Sequence, residues 1–301
     1  QNNNTAKQGS HSRDRLRLPY AFRGMNMKGR TVMNLISWLL MLSFLLTGCA
    51  PPAQDLVANP SAGKPQQVVT ENQSTSGTEN GVVPEMDRSG GHQVETEELT
   101  IESEGGSIYA VLYRPIGEET PRPTVIFSHG YGDTNRGGSR YAQTLARQGY
   151  LVCCFDFRGG GPGSQSDGSN LDMTIFTEQF DLETVLDALR QRDDVDSGNL
   201  FLLGNSQGGV VSAITAAAHP DEIAGVVLSS PAFSLFDDAK ELFGSVDAIP
   251  DTYYHMLMQV GKNYFASVFD YDIFETIQNY GGDVLIFHGD RDNLVPLSYS
   301  Q

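Results

Sequence analysis

The chain has 301 residues, a net charge of −17 and 39% hydrophobic residues, a size that allows one or two domains. Seven of its 20 basic residues lie within residues 1–48, so the rest of the chain is still more acidic. Such a surface repels phosphate backbones, which excludes nucleic acid as an expected partner. Three cysteines are too few for a disulfide framework, so the fold must depend on a hydrophobic core.

The beginning of the chain predicts an export signal rather than a folded domain. Residues 1–24 show no pattern of a folded element and are interpreted as a non-native upstream segment, with Met25 or Met27 as the start of the protein. Residues 25–48 join basic residues to an apolar stretch that is too short for a stable membrane span. This arrangement is typical of a signal peptide.

The end of the signal segment carries a candidate lipidation site. The sequence Leu46-Thr47-Gly48-Cys49 resembles the lipobox of bacterial lipoproteins, which implies that Cys49 is acylated. We therefore expect an extracytoplasmic lipoprotein of the bacterial cell membrane; an ordinary signal peptide with an incidental cysteine is the alternative. Residues 49–95 are polar and rich in Pro, Ser, Thr and Gly, which predicts a flexible linker between the anchor and a domain over 96–301.

The domain opens with strands and continues as alternating strands and helices. Runs at 98–103 and 107–113 flank two glycines and predict a hairpin. Five short apolar runs suit a parallel sheet that is buried on both faces; they cover 124–128, 151–155, 200–203, 224–229 and 283–287. Helices are predicted between them, over 139–147, 176–191 and 207–218. The alternation predicts an α/β fold with a doubly wound sheet.

Two further features of the domain follow from its pattern. Residues from about 231 to 280 are too long for a simple crossover and are rich in aromatic side chains, which predicts a cap over the strand ends. Cys153 and Cys154 are neighbours in a predicted strand, so their side chains point to opposite faces and should not bridge. Both are expected to be buried free thiols.

The segment Gly204-Asn205-Ser206-Gln207-Gly208 predicts a serine nucleophile. It follows an apolar strand and precedes a small-residue helix, so the serine lies on a sharp turn at the end of the sheet. Glycines two residues before and after Ser206 remove the Cβ clashes that so tight a turn would cause. A purely structural turn is the alternative.

Two backbone N–H groups are candidates for an oxyanion hole. Tyr131 follows His129-Gly130 just after a predicted strand, and Gln207 is the residue directly after the nucleophile. His129 is then architectural rather than the catalytic base. The last predicted strand ends in a turn that contains Asp290 and Asp292, either of which could orient a base.

Together these motifs resemble the α/β-hydrolase superfamily, and within it the cinnamoyl or feruloyl esterase-like group. The similarity is carried by Ser128-His129-Gly130-Tyr131, the segment 155–159, Met173-Thr174-Ile175, the segment 204–211, Ser230-Pro231-Ala232 and the segment 288–292. It implies a serine esterase in which Asp292 is the acid of the triad, with no metal or organic cofactor. It also implies that Asp238 and Tyr264 in the cap contact the phenolic end of an ester substrate.

The catalytic base is missing from this pattern. The superfamily order is Ser, Asp, His, and no histidine follows Asp292 in the chain. We expect the last strand, a histidine loop and the final helix to lie beyond residue 301, so that the chain as given would be nearly inactive. A peptidase or thioesterase on the same fold, and a non-catalytic surface-anchored binding module that lacks the histidine, are the alternatives.

Overall fold

A computed structural model describes residues 91–117 and 120–301 of the chain. The predicted signal segment, Cys49 and all but the last residues of the predicted linker lie outside the described residues. The first strand begins at Val94, two residues before the predicted domain boundary at residue 96. No helix in the described part of the chain is long and apolar enough to cross a membrane.

A seven-stranded, mostly parallel sheet forms the centre of the domain and confirms the predicted α/β class. Its seven strands are β1 (Val94–Ser103), β2 (Gly106–Pro115), β3 (Arg122–Ser128), β4 (Leu151–Phe155), β5 (Val195–Asn205), β6 (Gly225–Ser229) and β9 (Asp283–Phe287). Every strand predicted from the sequence is present. The strand order is β1-β2-β4-β3-β5-β6-β9, and within this sheet only the pairs β1 with β2 and β2 with β4 are antiparallel.

Three helices pack on the sheet where the sequence predicts them. They are α1 (Ser139–Arg147), α2 (Ile175–Arg190) and α3 (Gln207–Ala218). Helix α2 begins with a capping box, in which the Thr174 hydroxyl accepts from the Thr177 N–H. Helix α1 packs in one hydrophobic core, while α2 and α3 pack in a second core on the other face of the sheet. The sheet is therefore covered on both sides, as a doubly wound fold requires.

The two strand cysteines occupy different cores. Cys153 belongs to the core with α2 and α3, and Cys154 belongs to the core with α1. Both thiols are free and completely buried, as predicted.

Strand β9 departs from the prediction of burial on both faces. Val284 is 50% exposed and Ile286 is 38% exposed. Among residues 91–117 and 120–301, β9 is the last strand of the sheet order and pairs only with β6.

The segment predicted to form the cap lies between β6 and β9. It contains the helices α4 (Leu235–Phe243), α5 (Lys262–Ala266) and α6 (Ile273–Ile277), and an antiparallel hairpin of β7 (Thr252–His255) and β8 (Met258–Gly261). Aromatic side chains join these elements: the Phe243 ring lies 5.2 Å from Tyr253 and 5.0 Å from Phe265, measured between centroids. Such contacts give the segment its own small core.

Candidate active site

Ser206 lies on a sharp turn between β5 and α3. Its backbone has φ 51° and ψ −117°, a region that non-glycine residues rarely adopt. The Ser206 N–H donates to the carbonyl oxygen of Ser229 at 2.8 Å, which ties the turn to the end of β6. Ser206 is therefore held at the carboxyl end of the sheet by β5 before it, α3 after it and the hydrogen bond to β6.

Two glycines permit this turn by allowing close backbone approach. A Cβ atom on Gly204 would lie 2.2 Å from the carbonyl oxygen of Gly208. A Cβ atom on Gly208 would lie 2.2 Å from the carbonyl oxygen of Ser128 and 2.4 Å from that of His129. No side chain larger than hydrogen fits at either position without moving the backbone.

Ser206 lines a cavity of about 490 Å³ between the sheet and the cap. Four of the other residues selected from the sequence line the same cavity, namely Tyr131, Gln207, Asp238 and Tyr264. The remaining wall combines apolar side chains with polar ones: Ala232, Ser234, Leu235, Glu241, Leu242, His255, Met256, Leu294 and Val295. The cavity has the size and mixed lining of a small-molecule site.

The two candidate oxyanion residues flank the serine. Gln207 is the first residue of α3, so its N–H has no acceptor within the helix. Gly130 precedes Tyr131 and packs against the turn, because a Cβ atom built on it would lie 3.3 Å from the Ser206 Cβ. The partial positive charge of the helix N-terminus favours an anion at this place. The assignment of these two N–H groups to an oxyanion stays a prediction.

His129 is buried below the site with both ring nitrogens engaged. Its Nδ1 lies 2.8 Å from the Gly130 carbonyl oxygen, to which it donates, and its Nε2 accepts from the Phe157 N–H at 3.1 Å. Burial lowers the pKa of His129, so the ring is neutral. This environment agrees with an architectural role and leaves no nitrogen for proton transfer.

Asp292 lies at the rim of the site, in the turn after β9. Its carboxylate accepts from the N–H groups of Leu294 and Val295 at 2.9 and 3.0 Å, and these two residues line the cavity. Burial raises the pKa of Asp292, but the two backbone hydrogen bonds and the nearby His288 outweigh it and lower the pKa below its usual value. The carboxylate is therefore ionised at neutral pH, as the acid of a triad must be.

The other described histidines lie in distinct environments. His288 is engaged at both ring nitrogens, by the Ser300 hydroxyl at 2.7 Å and the Val295 carbonyl oxygen at 2.8 Å. His219 lies near Glu183, and His92 lies near the Ile116 carbonyl oxygen. His255 lines the cavity, and its ring centroid is 5.2 Å from that of Tyr131. The expectation of a base beyond residue 301 stays a prediction.

The two cap residues predicted to bind substrate differ in their exposure. Asp238 is exposed and accepts a hydrogen bond from the Ser234 hydroxyl at 2.9 Å. Tyr264 is only 2% exposed, and its hydroxyl donates to the Gln207 Oε1 at 2.6 Å. Contact of either residue with a substrate stays a prediction, and the Tyr264 hydroxyl already has a partner within the protein.

Sequence reasoning missed one buried residue at this site. Glu178 on α2 is 1% exposed, and its Oε2 accepts from the Gln207 Nε2 at 2.8 Å. Burial raises the pKa of Glu178 well above its usual range, which favours the neutral form of the carboxyl group. A signal was present in the sequence, because Glu178 lies in line with Ile175 and Leu182 on the apolar face of the helix.

The sequence of the chain is similar to those of known hydrolases. A family described as serine aminopeptidase, S33, matches residues 119–267. The human monoglyceride lipase is 31% identical over 134 residues, which cover 44% of this chain and 41% of that protein. A monoacylglycerol lipase of Mycolicibacterium smegmatis is 29% identical over 126 residues, which cover 42% of this chain and 44% of the relative. The chain thus spans less than half the length of these relatives.

A solved structure is similar over a larger part of the chain. It is that of Est1E from Butyrivibrio proteoclasticus with bound ferulic acid, at a TM-score of 0.62 and 27% sequence identity. The match covers 67% of this chain and 82% of Est1E. It extends over most of the residues that the structure describes.

Proposed function

We propose that this chain, which has the fold of the α/β hydrolases and resembles the esterases among them, hydrolyses carboxylic esters through an acyl-enzyme formed on Ser206. The observation that supports this most is the backbone of Ser206. A strained serine at the end of a parallel strand, on the wall of a cavity and at a helix N-terminus, combines the requirements of a nucleophile.

The proposed reaction has two steps. The Ser206 oxygen attacks the ester carbonyl carbon and gives its proton to a base, and the N–H groups of Tyr131 and Gln207 hold the resulting oxyanion. The bond to the alcohol oxygen then breaks, and the base returns the proton to the leaving alcohol. Water attacks the acyl-enzyme by the same route and releases the acid, which restores the Ser206 hydroxyl.

We propose that the base is a histidine beyond residue 301, since residues 293–301 contain none. The argument is the superfamily order of nucleophile, acid and base, together with the ionised carboxylate of Asp292 at the rim of the cavity. Among the described histidines, His129 and His288 use both ring nitrogens in other hydrogen bonds.

The substrate class that we propose is a small ester of the feruloyl or cinnamoyl type. The similarity to Est1E, whose structure contains ferulic acid, and the aromatic rings of Tyr131 and Tyr264 in the cavity wall support it. The lipase relatives support a glyceryl ester, and the aminopeptidase family supports a peptide. Initial rates on methyl ferulate, a monoacylglycerol, a thioester and an aminoacyl amide separate these classes, and the proposal requires the highest kcat/KM on methyl ferulate.

A fluorophosphonate probe tests the nucleophile on the protein as its gene encodes it. We expect covalent labelling of the wild type and none of Ser206→Ala. Ser212→Ala is a matched control, because Ser212 is a completely buried serine in α3, the helix that follows Ser206; it should be labelled like the wild type. Labelling of Ser206→Ala, or binding of esters by the wild type without turnover, would contradict the proposal and favour a binding module.

We also propose that the protein is anchored to the membrane through a lipid on Cys49. The support is the lipobox-like sequence that ends at this residue and the polar linker that follows it. Expression in a bacterial host with a radiolabelled fatty acid should label the wild type and leave Cys49→Ser unlabelled. Equal label in both proteins would contradict the anchor without affecting the proposed reaction.

A further inference from the structure

Three buried side chains form a hydrogen-bonded series that begins at the cavity wall. Tyr264 in the cap donates its hydroxyl to the Gln207 Oε1 at 2.6 Å, and the Gln207 Nε2 donates to the Glu178 Oε2 at 2.8 Å. The three residues are 1–2% exposed, and they come from α5, α3 and α2. The series therefore joins the cap to two helices of the main domain.

The arrangement fixes the side chain of Gln207 at both polar ends. The amide oxygen is bonded to the cap and the amide nitrogen is bonded to α2. A shift of the α3 N-terminus would therefore disturb both hydrogen bonds. The backbone N–H of the same residue stands at the helix start beside Ser206. Holding the side chain thus holds the peptide group that precedes it.

A second tether acts on the other candidate oxyanion residue. The Tyr131 hydroxyl donates to the carbonyl oxygen of His255 at 3.0 Å, and His255 belongs to the cap hairpin. Both residues that we propose as oxyanion donors are therefore bonded to the cap through their side chains.

We propose that the cap sets the geometry of the oxyanion hole, with Glu178 and Tyr264 as positioning residues that act through Gln207. This inference rests on the proposed function, because it assigns the series to a step of that reaction. Glu178 does not line the cavity, so its effect on the reaction has to pass through Gln207.

The charge state of Glu178 determines which substitution preserves the series. Asp181, which lies on the same helix, is paired with Arg158 through an Nε to Oδ1 contact of 2.6 Å, while the partner of Glu178 is the neutral amide of Gln207. Burial raises the pKa of Glu178 and so favours its neutral form. Glutamine has the same shape and an acceptor oxygen, so Glu178→Gln should preserve the hydrogen bond, and Glu178→Leu should remove it.

The kinetic test uses methyl butyrate, because its alkyl groups offer nothing for a phenol-binding contact. We expect Glu178→Leu and Tyr264→Phe each to lower kcat about 10-fold with KM unchanged, since a loosened donor costs less than the roughly 100-fold of a deleted one. Glu178→Gln should stay within about 2-fold of the wild type. Glu183→Leu makes the same change at the opposite, partly exposed face of α2 and should leave kcat unchanged.

A second measurement tests the hydrogen-bonded series independently of catalysis. Amide hydrogen exchange at the start of α3 should be faster in Glu178→Leu and Tyr264→Phe than in the wild type, and unchanged in Glu183→Leu. If Glu178→Leu does not fold, Tyr264→Phe alone decides, because it removes only a hydroxyl group.

The outcomes separate this inference from the proposed function. A wild type without esterase activity defeats the proposed function, and the exchange measurement then still tests the tether. An active wild type whose kcat is unchanged in Glu178→Leu and Tyr264→Phe overturns the inference and leaves the esterase intact. A rise in KM alone in both variants overturns it as well, because it would indicate ground-state binding rather than the oxyanion.

Discussion

Gly208→Ala places a methyl group where the chain offers no room. The new Cβ would lie 2.2 Å from the Ser128 carbonyl oxygen and 2.4 Å from that of His129. An ordinary carbon–oxygen contact is about 3.3 Å, so α3 and the end of β3 must separate by roughly 1 Å. Because Ser206 and Gln207 belong to one side of this contact and Tyr131 follows the other, the substitution moves the proposed nucleophile away from one oxyanion donor.

The expected size of the effect follows from that displacement. A misplacement of about 1 Å in a catalytic constellation costs about 100-fold in rate, and overfilling a packed site costs about 1–3 kcal/mol of stability. We therefore expect Gly208→Ala to lower kcat on methyl butyrate about 100-fold, while the protein remains folded.

The assay compares kcat with the free energy of unfolding in urea. Gly281→Ala is the matched control, because a Cβ on Gly281 meets no atom within 4 Å and its φ is not in the left-handed region; it should keep wild-type activity and stability. A kcat within about 2-fold of the wild type in Gly208→Ala would refute the argument that the turn at Ser206 has no space for a methyl group.

Two further predictions concern buried carboxyl groups. The folded-state pKa of Glu178 is raised, so its contribution to stability is fully present below the unfolded-state pKa of about 4.3 and is lost as the pH rises toward the folded value. With rising pH between about pH 5 and pH 7, the free energy of unfolding in urea should thus increasingly favour Glu178→Gln over the wild type, by at most about 1.4 kcal/mol per pH unit. Glu183→Gln should show no such trend, and parallel profiles for Glu178→Gln and the wild type would disprove the raised pKa of Glu178. Asp156 accepts from the Asn135 N–H and Nδ2 at 2.6 Å and from the Gln165 N–H at 2.7 Å. Asp156→Asn should lower the free energy of unfolding by about 2–3 kcal/mol, and a loss below about 0.5 kcal/mol would contradict the importance of these bonds.

The strands and helices of the main domain could be predicted because their signals are local. The apolar run at 200–203 and the small residues after Ser206 specify a buried strand, a tight turn and a close-packed helix without reference to distant residues. The exposure of Val284 and Ile286 could not be predicted in this way, since it depends on which elements pack against β9 rather than on the composition of the strand.

The contacts that complete the candidate site were less accessible from the sequence. Glu178 and Tyr264 are separated from Gln207 by 29 and 57 positions, and no local pattern joins residues at such distances. The position of Glu178 on the apolar face of α2 could have indicated that it needs a buried partner, but the identity of that partner depends on how α2 packs against α3. The internal structure of the cap was also not predicted, because its helices and strands are only four to nine residues long.

The two adjacent cysteines can report on the order in which the two hydrophobic cores unfold. Cys153 and Cys154 are consecutive in one strand, but their side chains lie in different hydrophobic cores, one on each face of the sheet. Each core and the helices that cover it form one layer of the domain. A thiol reagent added during slow unfolding modifies each residue only when its own layer opens. Equal modification rates would show that both layers open in one event, and unequal rates would identify the layer that opens first.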